Sequence, residues 1–431
     1  MEIKRERYLQ QLIDHKHNGR VKIITGIRRV GKSYFLFNLF YSHLLLCGIN
    51  RNHIIEISLD ESVNARYRNP IELDQYIRSR IEDDEQYYVL IDEIQNVKEI
   101  SNPYLEGDRI GFVDVLLGLI RIPNLDVYVT GSNSRMLSKD VVTEFRDRGD
   151  EIHLEPLTYK EFSEVYDADR LERWREYATY GGLPRTLLLK THKEKADYLH
   201  NLFEETYIRD IIERNRIRND DKVINDLLNI IASNIGGQTN PNQLEKAFMA
   251  EQHVSISHNT ISSYLQCFED AFLIRTADRF DLKGKKYLGA DKKYYFTDIG
   301  LRNARVNFRQ SEQTHIMENI IYNELLARGY SVDVGTLDVV ERNREGNPVR
   351  KTLEVDFVAR DGNRVYYIQS AFSLEVQGKR EQESKSLKEI KDSFTKIIVT
   401  ADNITPYYDE NGIYNVNLED FLLDKESLEK A

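Results

Sequence analysis

The chain has little of what would mark a secreted or membrane protein. Its 431 residues include two cysteines, Cys47 and Cys267. That excludes a disulfide framework, and no Cys-x-x-Cys pair proposes zinc. The start, Met1-Glu2-Ile3-Lys4-Arg5-Glu6-Arg7, lacks the apolar core of a signal peptide. No unbroken apolar run approaches the roughly 18 residues of a membrane span. The expectation is a cytoplasmic protein without a membrane segment. With 8 prolines and 22 glycines, long flexible linkers are not expected. Internal repeats and low-complexity tracts are also missing. Nor is there an excess of positive charge: 60 basic residues stand against 71 acidic, a net of −11. This balance argues against a surface coated for non-specific nucleic-acid binding, while leaving room for a local basic patch.

What is present is a series of short apolar runs separated by amphipathic segments. The length suggests two or three domains. Val21-Lys22-Ile23-Ile24-Thr25, Ile54 to Leu59, Tyr87 to Ile91, Asp126 to Thr130 and Ile152-His153-Leu154 read as strands. Helical segments between them, such as Tyr34 to Leu46, indicate a parallel α/β sheet. From about Leu157 to Asn219 the pattern is helical, interrupted at Gly181-Gly182-Leu183-Pro184.

Between the first strand and its helix lies Gly26-Ile27-Arg28-Arg29-Val30-Gly31-Lys32-Ser33, followed by Tyr34, a full match to GxxxxGK[ST] in the required context. Backbone N–H groups of such a loop and the helix N-terminus cradle phosphates. Lys32 is expected to reach the β and γ phosphates of ATP, and Ser33 to hold Mg²⁺. The strand Tyr88-Val89-Leu90-Ile91 ends in Asp92-Glu93. Asp92 is placed for the magnesium shell and Glu93 for orienting or deprotonating water. A solvated strand end would look the same in isolation; its pairing with the loop marks a nucleotide site, and the second carboxylate favours hydrolysis over mere binding.

Val127-Tyr128-Val129-Thr130 runs into Gly131-Ser132-Asn133-Ser134, where Ser132 or Asn133 is placed to hydrogen-bond the γ-phosphate or water. An ordinary turn after a strand is the plainer reading. Arg146 and Arg148 precede the strand at Ile152. Either could serve as a finger toward a neighbouring subunit's γ-phosphate, or make a surface salt bridge.

Together these segments resemble the AAA+ superfamily, and more narrowly the bacterial and archaeal AAA-type ATPases that end in an uncharacterised restriction-endonuclease-like domain. The resemblance rests on the loop, on Leu90-Ile91-Asp92-Glu93-Ile94-Gln95 and on Thr130-Gly131-Ser132-Asn133-Ser134. It continues through Arg146-Asp147-Arg148, Pro156-Leu157-Thr158-Tyr159-Lys160-Glu161-Phe162 and Gly181-Gly182-Leu183-Pro184. It implies Walker roles for Lys32, Ser33, Asp92 and Glu93, a sensor at Ser132 or Asn133, and Arg148 as the preferred finger. A finger supplied in trans implies a homo-oligomer.

The expected fold is thus α/β: a P-loop parallel sheet (1–156), a helical lid (157–219), a winged-helix-like domain (220–305) and a small restriction-endonuclease-like α/β domain (306–431). Ser257 to Asp270 reads as the second helix of a helix-turn-helix, and Arg275 to Tyr295 as a two-stranded wing. The wing has seven basic residues (Arg275, Arg279, Lys283, Lys285, Lys286, Lys292, Lys293) against three acidic (Asp278, Asp281, Asp291). This stretch either contacts duplex DNA or only packs against other domains; a protein partner is the other expected target. In the last segment Glu318, Asp356 and Gln369 follow the order of metal ligands in the restriction-endonuclease fold. The lysine expected two residues after Gln369 is replaced in Gln369-Ser370-Ala371. Its loss argues for a scaffold that has shed its chemistry.

Overall fold

The computed structural model describes residues 3–131, 148–208, 211–212, 221–252, 256–309, 312–343, 347–375 and 378–431. Its contacts form two units, one running to Pro156 with Asp270–Phe272, the other comprising Leu157–Glu269 and Leu273–Ala431.

The first unit is built on five parallel strands: β1 (Val21–Thr25), β2 (Ile54–Ser58), β3 (Tyr87–Asp92), β4 (Leu125–Thr130) and β5 (Gly149–His153). Their order is β2-β3-β4-β1-β5. β1, β3 and β4 are buried along their whole length, as expected of a parallel sheet covered on both faces. Ile23, Val89, Ile91, Val127 and Val129 pack with Leu73 and Ile77 of helix Pro70–Ser79 and Leu116 and Leu119 of helix Phe112–Leu119. On the other face Tyr128 meets Phe40, ring centroids 4.5 Å apart.

The second unit holds the helices Tyr159–Val165, Arg170–Tyr180, His192–Asn201, Asp221–Ser233, Pro241–Ala247 and His258–Asp270, then a nine-stranded mixed sheet. The strands are β6 (Gln238–Thr239), β7 (Ile274–Asp281), β8 (Lys286–Phe296), β9 (Ser331–Arg342), β10 (Pro348–Asp361), β11 (Arg364–Ala371), β12 (Thr395–Thr400), β13 (Tyr407–Tyr408) and β14 (Tyr414–Asn417). Their order is β13-β14-β12-β11-β10-β9-β7-β8-β6. The hairpin β7–β8 is the stretch read as a wing. β9, which the sequence reading did not single out, pairs parallel to β7 from Val334 to Thr336 and antiparallel to β10. The hairpin and the C-terminal strands therefore share one sheet across residue 305, where the sequence reading divides them.

Gly181 and Gly182 owe their identity to close packing rather than to a flexible joint. Asp298 caps the helix Ile299–Arg305, accepting from Leu301 N at 3.1 Å, and also accepts from Gly182 N at 2.7 Å. A Cβ on Gly181 would lie 2.3 Å from the Asp298 carboxylate, and one on Gly182 would lie 2.2 Å from Leu157 O.

Candidate nucleotide site

The loop Gly26–Gly31 leaves the carboxyl end of β1 and enters a helical run of Lys32–Tyr34, Phe35–Phe40 and Tyr41–Leu46, the middle stretch π-helical. Ile27 and Val30 are buried anchors, while Arg28 is partly exposed and Arg29 fully so. The backbone is left-handed at Arg29 (φ 65°) and Gly31 (φ 102°). Gly26 has φ 140°, and a Cβ there would approach Leu154 O to 2.3 Å. The tight turn is therefore open only to glycine at that point. Lys32 is buried with its ammonium folded into the loop, donating to Gly26 O at 2.9 Å and Ile27 O at 3.2 Å.

Two strands away, β3 ends at the buried Asp92. Its carboxylate accepts from Thr130 Oγ1 at 2.5 Å and is also hydrogen-bonded by Ser33. Loop and acidic strand thus converge on the residue pair read as magnesium ligands. Burial pushes the Asp92 pKa up, against the hydrogen bonds of Thr130 and Ser33. A divalent cation would offset that desolvation, which is the fit expected of a metal-binding carboxylate. Glu93 adopts a left-handed conformation (φ 56°), its N–H donating to Thr130 Oγ1 at 2.9 Å and its carboxylate accepting from Gln95 Nε2.

Thr130 is the residue that sequence reasoning passed over. It lies one residue before the segment inspected for a sensor, and its hydroxyl joins Asp92 to the backbone of Glu93. Ser132, Asn133 and Arg146 fall outside the described residues. Arg148 is exposed at the amino end of β5, its carbonyl accepting from Val21 N at 2.9 Å. The loop follows the carboxyl end of β1, so at roughly 3.3 Å per residue Arg148 sits about 16 Å along the sheet from it.

In the second unit, Glu318 of helix Gln313–Ala327, Asp356 of β10 and Gln369 of β11 are also brought together. Gln369 Nε2 donates to Asp356 Oδ2 at 2.9 Å. Three of the seven basic residues of the hairpin are neutralised. Arg279 pairs with Asp291 at 3.0 Å, Lys292 with Asp278 at 2.9 Å, and Lys293 is buried among carboxylates. Lys285 and Lys286 remain exposed at the hairpin turn, where Lys283 donates to Asp338 O at 2.6 Å.

Comparison with known proteins places an AAA domain at residues 18–163 and a domain of unknown function, DUF8612, at residues 171–312. The chain is 32% identical to an uncharacterised protein of Haemophilus influenzae over 98% of both chains. It is 28% identical to an uncharacterised protein of Methanocaldococcus jannaschii, covering 93% of this chain and 85% of that one. Among solved structures, the Walker-type ATPase of Pyrococcus abyssi matches 71% of this chain and 96% of its own, with 16% identity and a TM-score of 0.48. The Aeropyrum pernix Orc1 protein in complex with DNA matches 71% and 93%, with 14% identity and a TM-score of 0.32. At these scores neither structural likeness bears on function. Among the described residues, no helix is long and apolar enough to cross a membrane.

Proposed function

The chain belongs to the family of the Haemophilus influenzae protein and carries an AAA domain ahead of a domain of unknown function; from that premise we propose that it is an ATPase. It binds ATP with Mg²⁺ and hydrolyses it to drive or gate rearrangement of its second unit. The observation that carries this reading is the hydrogen bond that joins Ser33, the residue after the buried Lys32, to the buried Asp92 at the carboxyl ends of the parallel strands. Gly26 to Tyr34 hold the nucleotide, with Lys32 compensating phosphate charge through its Nζ. Ser33 and Asp92 would hold Mg²⁺, which when bound would neutralise charge developing on the phosphates. Glu93 takes the proton of a water through its carboxylate, and Thr130 fixes the Glu93 backbone. Ser132 or Asn133 acts as the γ-phosphate sensor. Arg148, with Arg146 as the alternative, acts as a finger in trans, so the working form is a homo-oligomer. The direct test is equilibrium binding of a fluorescent ATP analogue. Lys32→Ala should weaken binding at least ~10-fold, about 1.4 kcal/mol. Unchanged affinity would remove the site assignment.

The architecture of the second unit supports finer readings: a helical lid over 157–219 and a winged helix over 220–305. The latter follows the order helix, short strand, two helices, hairpin. A second function, regulation on duplex DNA, is favoured by the exposed lysines at the hairpin turn. Reversing Lys285 and Lys286 to Glu should lower duplex affinity and reduce its salt slope by about 2. Binding and slope that match the parent would leave a protein partner as the target.

A further inference from the structure

Residues 306–431 place helix Gln313–Ala327, then β9, β10 and β11, then helix Lys379–Glu389 and β12 in the order expected of a restriction-endonuclease-like fold. The inference rests on that reading. In such a fold Glu318, Asp356 and the end of β11 would surround a divalent metal. The residues present do not fit one, and the reason is a side chain from outside the segment. Lys293 of β8 projects its ammonium into the cluster, 2.8 Å from Glu318 Oε1, 2.7 Å from Glu354 Oε1 and 4.0 Å from Asp356 Oδ1. It is 3% exposed, against 5% for Glu318 and 8% for Asp356.

We infer that the Lys293 ammonium is a tethered cation, standing where these carboxylates would otherwise hold a divalent metal. The second unit is then closed to metal-dependent nuclease chemistry by its own hairpin.

Several observations converge on this. The ammonium already lies within 3 Å of two of these carboxylates, so a divalent ion brought into the same contacts would meet a like charge at short range in a buried site. Other donors also hold these carboxylates. Tyr295 OH donates to Glu318 Oε1 at 2.6 Å, and Ser370 N donates to Asp356 Oδ2 at 2.8 Å. Gln369 supplies an amide where a charged ligand is expected, and its nitrogen rather than its oxygen faces Asp356. Among the described residues, no group of His, Cys, Asp and Glu is disposed to hold a metal ion.

Lys293 is not on a removable strap. It pairs antiparallel with Ala277 of β7, just past a register shift between Leu288 and Lys293, and with Gln238 of β6 on the other side. Its ammonium ties β8, β10 and helix Gln313–Ala327 into one ion cluster. The joining of the hairpin to the C-terminal strands and the loss of the lysine after Gln369 have a common sense here: one lysine has left the cleavage motif, and another fills the cation's place.

The test is Mn²⁺ uptake by the nucleotide-free full chain, read by electron paramagnetic resonance with MnCl₂ alone. The parent and its Asp356→Asn variant should give the same titration. Lys293→Met, similar in length and uncharged, should gain one Mn²⁺ at least ~10-fold tighter than any uptake by the parent. Adding Asp356→Asn to Lys293→Met should abolish that gain. Should Lys293→Met not fold, Lys293→Met/Glu354→Gln removes one charge of each sign and keeps Glu318 and Asp356. The same gain is expected of it. Parent uptake that Asp356→Asn abolishes would overturn the inference, and make Lys293 a neighbour of the metal rather than its substitute. A folded Lys293 variant that gains no Mn²⁺ would overturn it equally, while leaving the fold reading of residues 306–431 intact.

Discussion

At the scale of single residues, Thr130 shows how a proposed site can depend on a side chain that the sequence pattern contains but gives no role. Its hydroxyl donates to Asp92 and accepts from Glu93 N, so one oxygen orients the carboxylate proposed to hold Mg²⁺ and fixes the left-handed backbone at Glu93. Removing it leaves a buried carboxylate and a backbone N–H short of a partner, a cost of about 1–3 kcal/mol. Thr130→Val should lower ATP turnover at least ~10-fold through kcat with little change in KM, since the loss falls on positioning rather than on nucleotide contact. Thr130→Ser should restore most of it, because the hydroxyl is retained. Equal kcat in parent and Thr130→Val, measured in steady-state assays, would reduce Thr130 to packing. The nucleotide residues were legible because the phosphate loop is a local feature: eight consecutive residues and their flanking elements carry it. Thr130 was not, because its role arises from the register of β3 beside β4. Lys293 was hidden for a stronger reason. It looked like one more base in a basic wing, and only the tertiary pairing of the hairpin shows that it faces carboxylates 25 and more residues away.

At the scale of elements, the five parallel strands were legible because their runs of Val, Ile, Leu and Tyr are bounded by turns. The long strand β9 was not. Asp333, Gly335 and Asp338 break its apolar run, and six consecutive residues are buried without alternation. Gly181-Gly182 was read as a lid interruption; the structure adds its reason, the Asp298 carboxylate that caps the helix Ile299–Arg305 while gripping the Gly182 backbone. Burial raises the Asp298 pKa to about 6, opposed by the backbone N–H donors of Gly182, Leu301 and Gly300. The native state therefore binds the proton more tightly than the unfolded chain does. Between about pH 4 and pH 6 its contribution to stability falls as pH rises, and above that window it is level. Denaturant titrations of parent and Asp298→Asn across this range should give a difference that shrinks the slope in the variant. Parallel pH profiles would show that Asp298 titrates normally.

At the scale of the whole molecule, two units carry two different relations to charge. The first gathers Lys32, Ser33, Asp92 and Glu93 at the carboxyl edge of a parallel sheet, where a helix N-terminus and loop amides favour phosphate. The second buries a lysine in a carboxylate cluster that a relative of its proposed fold would give to metal. A chain with a net charge of −11 concentrates its exposed positive charge sparingly, with Lys285 and Lys286 at one hairpin turn. Its charge sets no general affinity for nucleic acid, so the duplex binding proposed above would depend on that turn. Arg148 lies away from the loop of its own chain, which makes an activity that depends on assembly the natural expectation. The measurement that tests the central claim most directly is ATP turnover by the purified full chain and its Glu93→Gln variant, with Mg²⁺, across a range of protein concentrations. The account predicts Mg²⁺-dependent hydrolysis whose specific rate rises with concentration, and a loss of about 10²-fold or more in Glu93→Gln with nucleotide binding retained. A rate equal in parent and variant, or no hydrolysis at any concentration, would contradict it.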